Sequence, residues 1–156
     1  MSEEAHEKWF SEVTRVAASA LCLRAQCGAV IVQNGEIIGE GYNAPPRDDI
    51  SARKCHQSYD RMKKPKYDLT CCVHAEWRAI ISALKKGKGD LSGSILYYAS
   101  LDDEGERKYS GQPFCTVCSR LACDVGITYF ALWHEDGIVV YDTNEYNDRS
   151  YAYHKL

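Results

Sequence analysis

The chain has 156 residues, of which 45% are hydrophobic, so it is long enough to fold as one compact domain with a buried core. Its formal net charge of -3 supplies no overall positive field, which argues against tight nonspecific binding to nucleic acid. The sequence has no apolar run of the roughly 20 residues that a membrane span needs, and its acidic start lacks the order of a secretory signal, so we expect a cytoplasmic protein.

The first quarter of the chain predicts a helix followed by a hairpin. Apolar residues recur at steps of three and four from Ser2 to about Ala25, which indicates one amphipathic helix. The apolar segments 28–33 and 36–42 flank Asn34-Gly35, a dipeptide that suits the positive φ angles of a tight hairpin turn. We therefore expect two antiparallel strands after the helix.

A long loop is predicted next, followed by a helix and a strand. Residues 43–70 contain three prolines and many charges without a sustained period, so we expect a loop with a short helical turn near residues 56–62. Loops of this length are usually functional or disordered. A helix fits residues 73–86 and a strand fits residues 94–100, whereas residues 102–112 return to loop.

The last third predicts a strand, helix, strand crossover. A helix fits residues 115–125 and ends at a glycine, and the apolar run 127–133 fits a strand. Residues 137–141 fit a short final strand, and the polar tail 142–156 has no assigned structure. This order predicts a single domain over residues 1–156, with helices packed on a mixed sheet.

Four polar residues lie at the starts of the two later helices. His74 and Glu76 open one helix, and Cys115 and Cys118 open the other. One imidazole and two thiolates are good zinc ligands, and three of them leave the fourth tetrahedral position for water, as in a catalytic site. Eight cysteines without an export signal also favour metal ligands or free thiols over a disulfide framework.

Glu76 lies two residues from His74, close enough to reach a water on the metal without being a ligand. Zinc lowers the pKa of a bound water from about 15.7 to about 7. In the mechanism we expect, Glu76 moves the water proton to the ring nitrogen beside an amine-bearing carbon and then protonates the departing ammonia.

The chain resembles the zinc-dependent cytidine and deoxycytidylate deaminase family, whose signature is His-x-Glu followed by Pro-Cys-x-x-Cys. The resemblance covers roughly residues 5 to 135, and the order of its segments is similar to the deoxycytidylate deaminase branch. Besides the two zinc motifs, the matching segments are Cys27-Gly-Ala-Val-Ile-Val, Glu36-Ile-Ile-Gly-Glu-Gly-Tyr-Asn-Ala-Pro-Pro, Cys72-Val-His-Ala-Glu-Trp-Arg-Ala-Ile and Gly126-Ile-Thr-Tyr-Phe.

The resemblance implies a cytidine deaminase-like α/β/α sandwich with a mixed five-stranded sheet, and commonly a homo-oligomer. It implies a small-molecule substrate, most readily a cytosine nucleotide such as dCMP. The sites that it implies are one zinc on His74, Cys115 and Cys118, catalysis by Glu76, and a substrate contact from Asn43. Ala75 and Phe114 are further candidate substrate contacts.

The resemblance also implies that the long loop closes over the substrate's sugar and phosphate. Candidate phosphate contacts there are Arg47, Arg53 and Lys54, with further basic residues at Arg61, Lys63, Lys64 and Lys66.

Three departures from the family pattern bear on the substrate. The usual Gly-Tyr-Asn-Gly-x-Pro-x-Gly is here Gly-Tyr-Asn-Ala-Pro-Pro-Arg-Asp, and Phe114 separates Pro113 from Cys115. The segment 102–112 is a longer, acidic connection that would repel a phosphate unless its acidic residues point away. A nucleoside, a purine or another aminated heterocycle therefore stays an alternative to a nucleotide.

Other readings of the cysteines stay open. Cys55 and His56, with Cys27, Cys71 or Cys72, could form a second zinc site, or these thiols could simply be buried and free. Cys71 or Cys72 could also close a structural zinc as fourth ligand, and a redox Cys-x-x-Cys is a further possibility. Cys22 is predicted to lie on an apolar helix face.

Two other function classes compete with a small-molecule deaminase. Editing of a base within a nucleic acid would require a basic groove, which the net charge and the acidic insert argue against. A noncatalytic module that keeps zinc for stability would not require the carboxylate of Glu76.

Overall fold

The structure is a computed structural model that describes residues 2–65 and 70–153. Helix α1 spans Glu3–Ala17, and the Ser2 hydroxyl caps it by accepting a hydrogen bond from the Ala5 N–H. The predicted helix is therefore too long at its end. After Ala18 the chain turns, and the Leu21 N–H donates to the Asn43 carbonyl at 3.0 Å, which holds this segment against the start of the long loop.

The predicted hairpin is present. Strand β1 spans Gln26–Gln33 and strand β2 spans Glu36–Tyr42, paired in antiparallel register with a bulge at Ile31/Val32. Asn34 and Gly35 have φ angles of 52° and 76°, as a tight turn between two twisted strands requires.

The remaining strands complete one mixed sheet. Strands β3 (Ile95–Leu101), β5 (Tyr129–His134) and β6 (Gly137–Asp142) follow β1 in the order β2-β1-β3-β5-β6. Among the strands of the described residues, only β3 and β5 pair in parallel. A sixth strand, β4 (Arg107–Lys108), pairs with β3 and comes from the segment that was expected to be loop.

In the part of the chain that the structure describes, four helices cover the two faces of this sheet. Helices α2 (Ala75–Lys85), α3 (Thr116–Asp124) and α4 (Thr143–Ala152) pack on one face, and α1 packs on the other. The result is the expected α/β/α sandwich. Helix α4 lies in the tail to which the sequence assigned no structure. The sequence did not predict this helix because its apolar pattern is weak. Its start is set by the Asp142 carboxylate, which accepts from the N–H groups of residues 144 and 145.

No helix is assigned at the helical turn expected near residues 56–62, but hydrogen-bonded turns lie there, and the Lys64 N–H donates to the Asp60 carbonyl at 2.9 Å. Two 3-10 turns lie earlier in the loop, at Pro46–Asp48 and Ile50–Ala52. Proline suits the first position of such a turn, and the Asp49 carboxylate caps the second by accepting from the Ser51 N–H. Within the described residues, no helix combines the length and the apolar character needed to cross a membrane.

The backbone of β2 lies directly against α2. A Cβ atom built on Gly41 would lie 2.5 Å from both the Ala75 carbonyl oxygen and the Ala79 nitrogen. Glycine at this position therefore sets how close the start of α2 comes to the sheet. That start carries two of the residues singled out from the sequence.

Replacing Gly41 by alanine should destabilise the fold by about 2–3 kcal/mol, because the new methyl group would meet backbone atoms that cannot rotate away. Urea unfolding of both proteins would measure the difference. Gly89→Ala is the matched control, since a Cβ there meets nothing within 4 Å. Equal unfolding midpoints for the two variants would contradict this account of the β2–α2 contact.

Candidate metal centre and active site

Three of the predicted residues converge at the N-termini of α2 and α3. His74 is the residue before the first turn of α2, Cys115 holds the same position on α3, and Cys118 lies in the first turn of α3. The His74 Nδ1 atom is 3.2 Å from the Cys118 Sγ atom and 3.6 Å from the Cys115 Sγ atom. The two sulfur atoms are 2.9 Å apart. One nitrogen and two sulfurs thus face a common point.

This donor set fits zinc. All three ligand atoms lie within 4.8 Å of one another, and in the described parts of the chain no fourth His, Cys, Asp or Glu joins the group. Three protein ligands leave a tetrahedral zinc open to a water molecule or a substrate atom. A closed structural site with Cys71 or Cys72 as fourth ligand therefore finds no support in this geometry.

The surroundings favour a thiolate at Cys115. The hydrogen bond with Cys118 and the contact with His74 lower the pKa of Cys115 to about 4. Burial raises the pKa of Cys118, so the two thiols share one proton across their short contact. Burial opposes a proton on His74, but the hydrogen bond with Cys115 and the negative charge of Glu76 outweigh it and raise the His74 pKa. A divalent cation would replace these protons.

Trp77 fixes the His74 ring. The two rings stack with centroids 4.1 Å apart and planes within 3° of each other. Residues three apart on a helix meet on one face, so the indole limits rotation of the imidazole and keeps its Nδ1 atom toward the sulfurs. The sequence reasoning did not find this role, although the three-residue spacing carries the signal.

Glu76 lies beside the three ligands without being one of them. Its side chain is buried in the first turn of α2 and interacts with the Cys118 thiol. Burial, together with the negative charge of Cys115, raises the pKa of the Glu76 carboxyl. A carboxyl group that holds a proton more readily than usual suits a role in moving protons.

A cavity of about 540 Å³ opens next to this group of residues. Glu76, Cys115 and the predicted contact Phe114 line it, and Phe114 also meets Tyr153 edge to face at 4.9 Å between ring centroids. Sequence reasoning missed most of the other lining residues, which come from β3, the 102–112 segment, β5 and α4. They are Tyr98, Ser100, Lys108, Tyr109, Ser110, Gly111, Gln112, Leu132, Tyr146 and Tyr153.

Asn43 is held by the backbone. Its side-chain oxygen accepts from the Cys27 N–H at 2.8 Å, and its side-chain nitrogen donates to the Ala25 carbonyl at 2.9 Å. Asn43 and Ala75 are buried, and neither is among the residues that line the cavity. Their direct contact with a substrate stays a prediction.

The three candidate phosphate contacts are not among the residues that line this cavity. The Arg53 guanidinium donates to the Leu21 carbonyl, with its Nε atom at 3.1 Å, and Lys54 lines a second cavity of about 370 Å³. Arg47 has a φ angle of 60° in the first 3-10 turn. Lys66 lies outside the described residues.

The residues considered for a second zinc site separate into two places. The Cys27 thiol lies 3.2 Å from the Tyr98 hydroxyl, which donates to it. Cys71 instead interacts with the thiols of Cys55 and Cys72, and Cys72 interacts with Cys22. Cys22 was expected on an apolar helix face, but it lies in a loop after α1. Since only the His74 group is compact enough within residues 2–65 and 70–153, the second zinc stays a prediction.

The acidic part of the 102–112 segment turns away from the cavity. The Asp102 N–H donates to the Glu106 carbonyl at 2.8 Å, which closes a turn, and residues 102–106 are not among the lining residues. Residues 108–112 do line the cavity, held in place by Ser110, whose N–H donates to the Trp133 carbonyl at 2.8 Å. The acidic residues of this segment therefore do not line the cavity, so they would not repel an anionic substrate bound there.

Comparisons with known proteins agree with this geometry. The chain matches the family model of the cytidine and deoxycytidylate deaminase zinc-binding region over residues 3–132. A search of curated protein sequences finds no match.

Several solved structures share the fold. The dCMP deaminase from the cyanophage S-TIM5, in complex with dCMP and dUMP, is 21% identical with a TM-score of 0.60, covering 83% of this chain and 81% of that chain. The cytidine deaminase from Burkholderia pseudomallei is 16% identical with a TM-score of 0.62, covering 94% and 96%. The cytidine deaminase from Mycobacterium tuberculosis is 17% identical with a TM-score of 0.51, covering 86% and 87%. At these identities the likeness establishes the fold.

The family model includes His74, Glu76, Cys115 and Cys118, the residues that the structure brings together. The chain therefore belongs to the cytidine and deoxycytidylate deaminase family of zinc-dependent enzymes.

Proposed function

We propose that this enzyme deaminates a small free cytosine nucleotide such as dCMP, releasing ammonia and the uracil product. The observation that carries the proposal is the position of Glu76, which is buried beside the His74, Cys115 and Cys118 group and lines the adjacent cavity. A module that kept zinc only for stability would have no use for a buried carboxylate at that place, because burying it costs free energy.

The proposed chemistry uses few groups. His74, Cys115 and Cys118 would hold the zinc, which when bound acts as a Lewis acid that makes water nucleophilic near neutral pH. Glu76 takes one proton from the water as the water oxygen adds to the amine-bearing carbon of the base. Glu76 then gives that proton to the ring nitrogen next to this carbon. It then carries the remaining proton of that water, from the hydroxyl group now on the carbon, to the amine as the C–N bond breaks, so that water and the aminated base give the oxo base and ammonia.

The cavity supports a flat heterocyclic substrate. Its volume falls within the range of about 300–1,000 Å³ that is common for small-molecule sites. Four tyrosines and Phe114 contribute to its walls, and aromatic rings stack favourably on a base. A structural neighbour, the cyanophage enzyme, was solved with dCMP and dUMP. A nucleoside or a purine is the alternative, because the same chemistry at the zinc would serve either.

Homo-oligomerisation and a cytoplasmic location stay predictions for this chain. A second zinc, predicted from the sequence at Cys55 and His56 with Cys71 or Cys72, is likewise part of the proposal. Its support is that Cys55, Cys71 and Cys72, together with Cys22 from the segment before β1, contribute thiols to the wall of one cavity.

Replacing Cys118 by serine should reduce the zinc content of the purified protein by about one ion per chain, because serine is a poor zinc ligand and two protein ligands remain. Elemental analysis after gel filtration would measure it. Cys123→Ser is the matched control on the same helix, since the Cys123 thiol lies near Thr143 and outside the ligand group. Equal zinc loss in both variants would contradict the assignment.

If the second zinc exists, the native protein should hold two ions per chain, and Cys71→Ser with Cys72→Ser should return that number to one while deamination continues. The same elemental analysis serves as the measurement. A native content of one ion would leave the four thiols as free groups and remove the second site from the proposal.

Replacing Glu76 by glutamine should lower kcat by about 10²–10⁴-fold while zinc content stays unchanged, because the amide cannot transfer protons. Ammonia release would be measured on cytosine, adenine and guanine compounds, each as base, nucleoside and monophosphate. Turnover confined to purines would replace the proposed substrate but keep the mechanism. Full activity of the glutamine variant would refute the role of Glu76.

A further inference from the structure

The active-site cavity has one cationic side chain in its wall. Of the thirteen described residues that line it, Lys108 is the only lysine or arginine. Glu76 is the only carboxylate there, and it belongs to the chemistry already described. The basic residues expected from the sequence to meet a phosphate, Arg47, Arg53 and Lys54, do not line this cavity. Any fixed positive charge that a bound substrate meets in this wall therefore comes from Lys108.

The sheet register directs Lys108 to the cavity side. Lys108 of β4 pairs with Ser100 of β3, and directly opposite residues of neighbouring strands place their side chains on the same face. Ser100 and Tyr98 lie two residues apart on β3, so they share a face, and both line the cavity. The charge of Lys108 is also close enough to lower the pKa of the Cys27 thiol, although burial dominates and raises it to about 11.

The backbone at Lys108 is held in place, and its exposed ammonium group is available for an anion. In the described parts of the chain, no carboxylate oxygen lies within 4.0 Å of its ammonium group. Its neighbours fix the backbone on both sides: the Arg107 guanidinium lies over the Trp133 ring at 4.0 Å, and the His134 Nδ1 atom donates to the Ser110 carbonyl at 3.0 Å. The strand therefore presents the lysine from a fixed backbone position.

We propose that Lys108 is a specificity residue that binds the phosphate monoester of a nucleotide substrate. The proposal rests on the proposed function, since it names the group that selects a nucleotide over a nucleoside at that same site. An ammonium group is a compact charge with three donors and is a common partner for phosphate oxygens. Although the segment 102–112 carries an excess of acidic residues, it would thus supply, in Lys108, the positive charge that meets an anionic substrate.

The test compares deamination of dCMP and deoxycytidine by the zinc-loaded native enzyme and by Lys108→Met. The variant should lose roughly 10- to 100-fold in kcat/KM for dCMP, the range for a hydrogen bond to a charged group, and little for deoxycytidine. Lys108→Arg should restore most of the preference. Lys88→Met, an exposed lysine after α2, is the matched control and should leave the ratio of the two substrates unchanged.

A binding measurement separates this inference from the proposed function. Calorimetric titration of the zinc-loaded Glu76→Gln protein with dCMP and deoxycytidine, with and without Lys108→Met, reports the preference even if no turnover occurs. A preference for dCMP that vanishes with Lys108 supports the inference, whether or not the native enzyme releases ammonia. Equal loss for both compounds, a preference that persists in Lys108→Met, or its loss in Lys54→Met instead would overturn it.

Discussion

Parallel pairing of β3 with β5 is the constraint on which the site depends. Two parallel strands cannot be joined by a tight turn, so the chain crosses over through α3 and returns to the same end of the sheet. The crossover places the start of α3 near the end of β3, where α2 also begins. The glycines of β2 then bring α2 down onto the sheet, so the His74 imidazole reaches the two sulfurs. The positions of the three candidate zinc ligands therefore depend on the strand order of the sheet as much as on the sequence motifs.

Negative charge accumulates at this junction. Glu76 is buried and Cys115 is partly buried, and burial together with the negative charge of Cys115 makes ionisation of Glu76 less favourable. In the described chain only His74 offsets these two charges within the ligand group. Two anions in a region of low dielectric repel each other strongly. A divalent cation would remove that repulsion, so zinc binding and folding of this region should favour each other. The helix N-termini add partial positive charge, which acts in the same direction.

The sequence predicted those parts of the molecule that short segments determine. Asn34 and Gly35 specify a turn by themselves, and His74, Glu76, Cys115 and Cys118 each lie within a motif of three or four residues. The wall of the cavity was not predictable in this way, because Tyr98, Lys108 and Tyr146 come from segments far apart in the chain and meet only through sheet register and helix packing. Helix α4 was missed because its polar residues show little periodicity, and the length of α1 was overestimated because apolar residues continue past its end.

Helix α4 and the residue after it supply Tyr146 and Tyr153 to the cavity, yet both residues lie beyond the 3–132 segment that carries the family pattern. The reactive groups and part of the surface that would surround a substrate are thus encoded in separate stretches. Changes after residue 132 could reshape the room for a base or a sugar without altering the metal ligands. An engineer seeking a new substrate for this scaffold would therefore begin at its carboxyl-terminal helix, where variation leaves His74, Glu76, Cys115 and Cys118 unchanged.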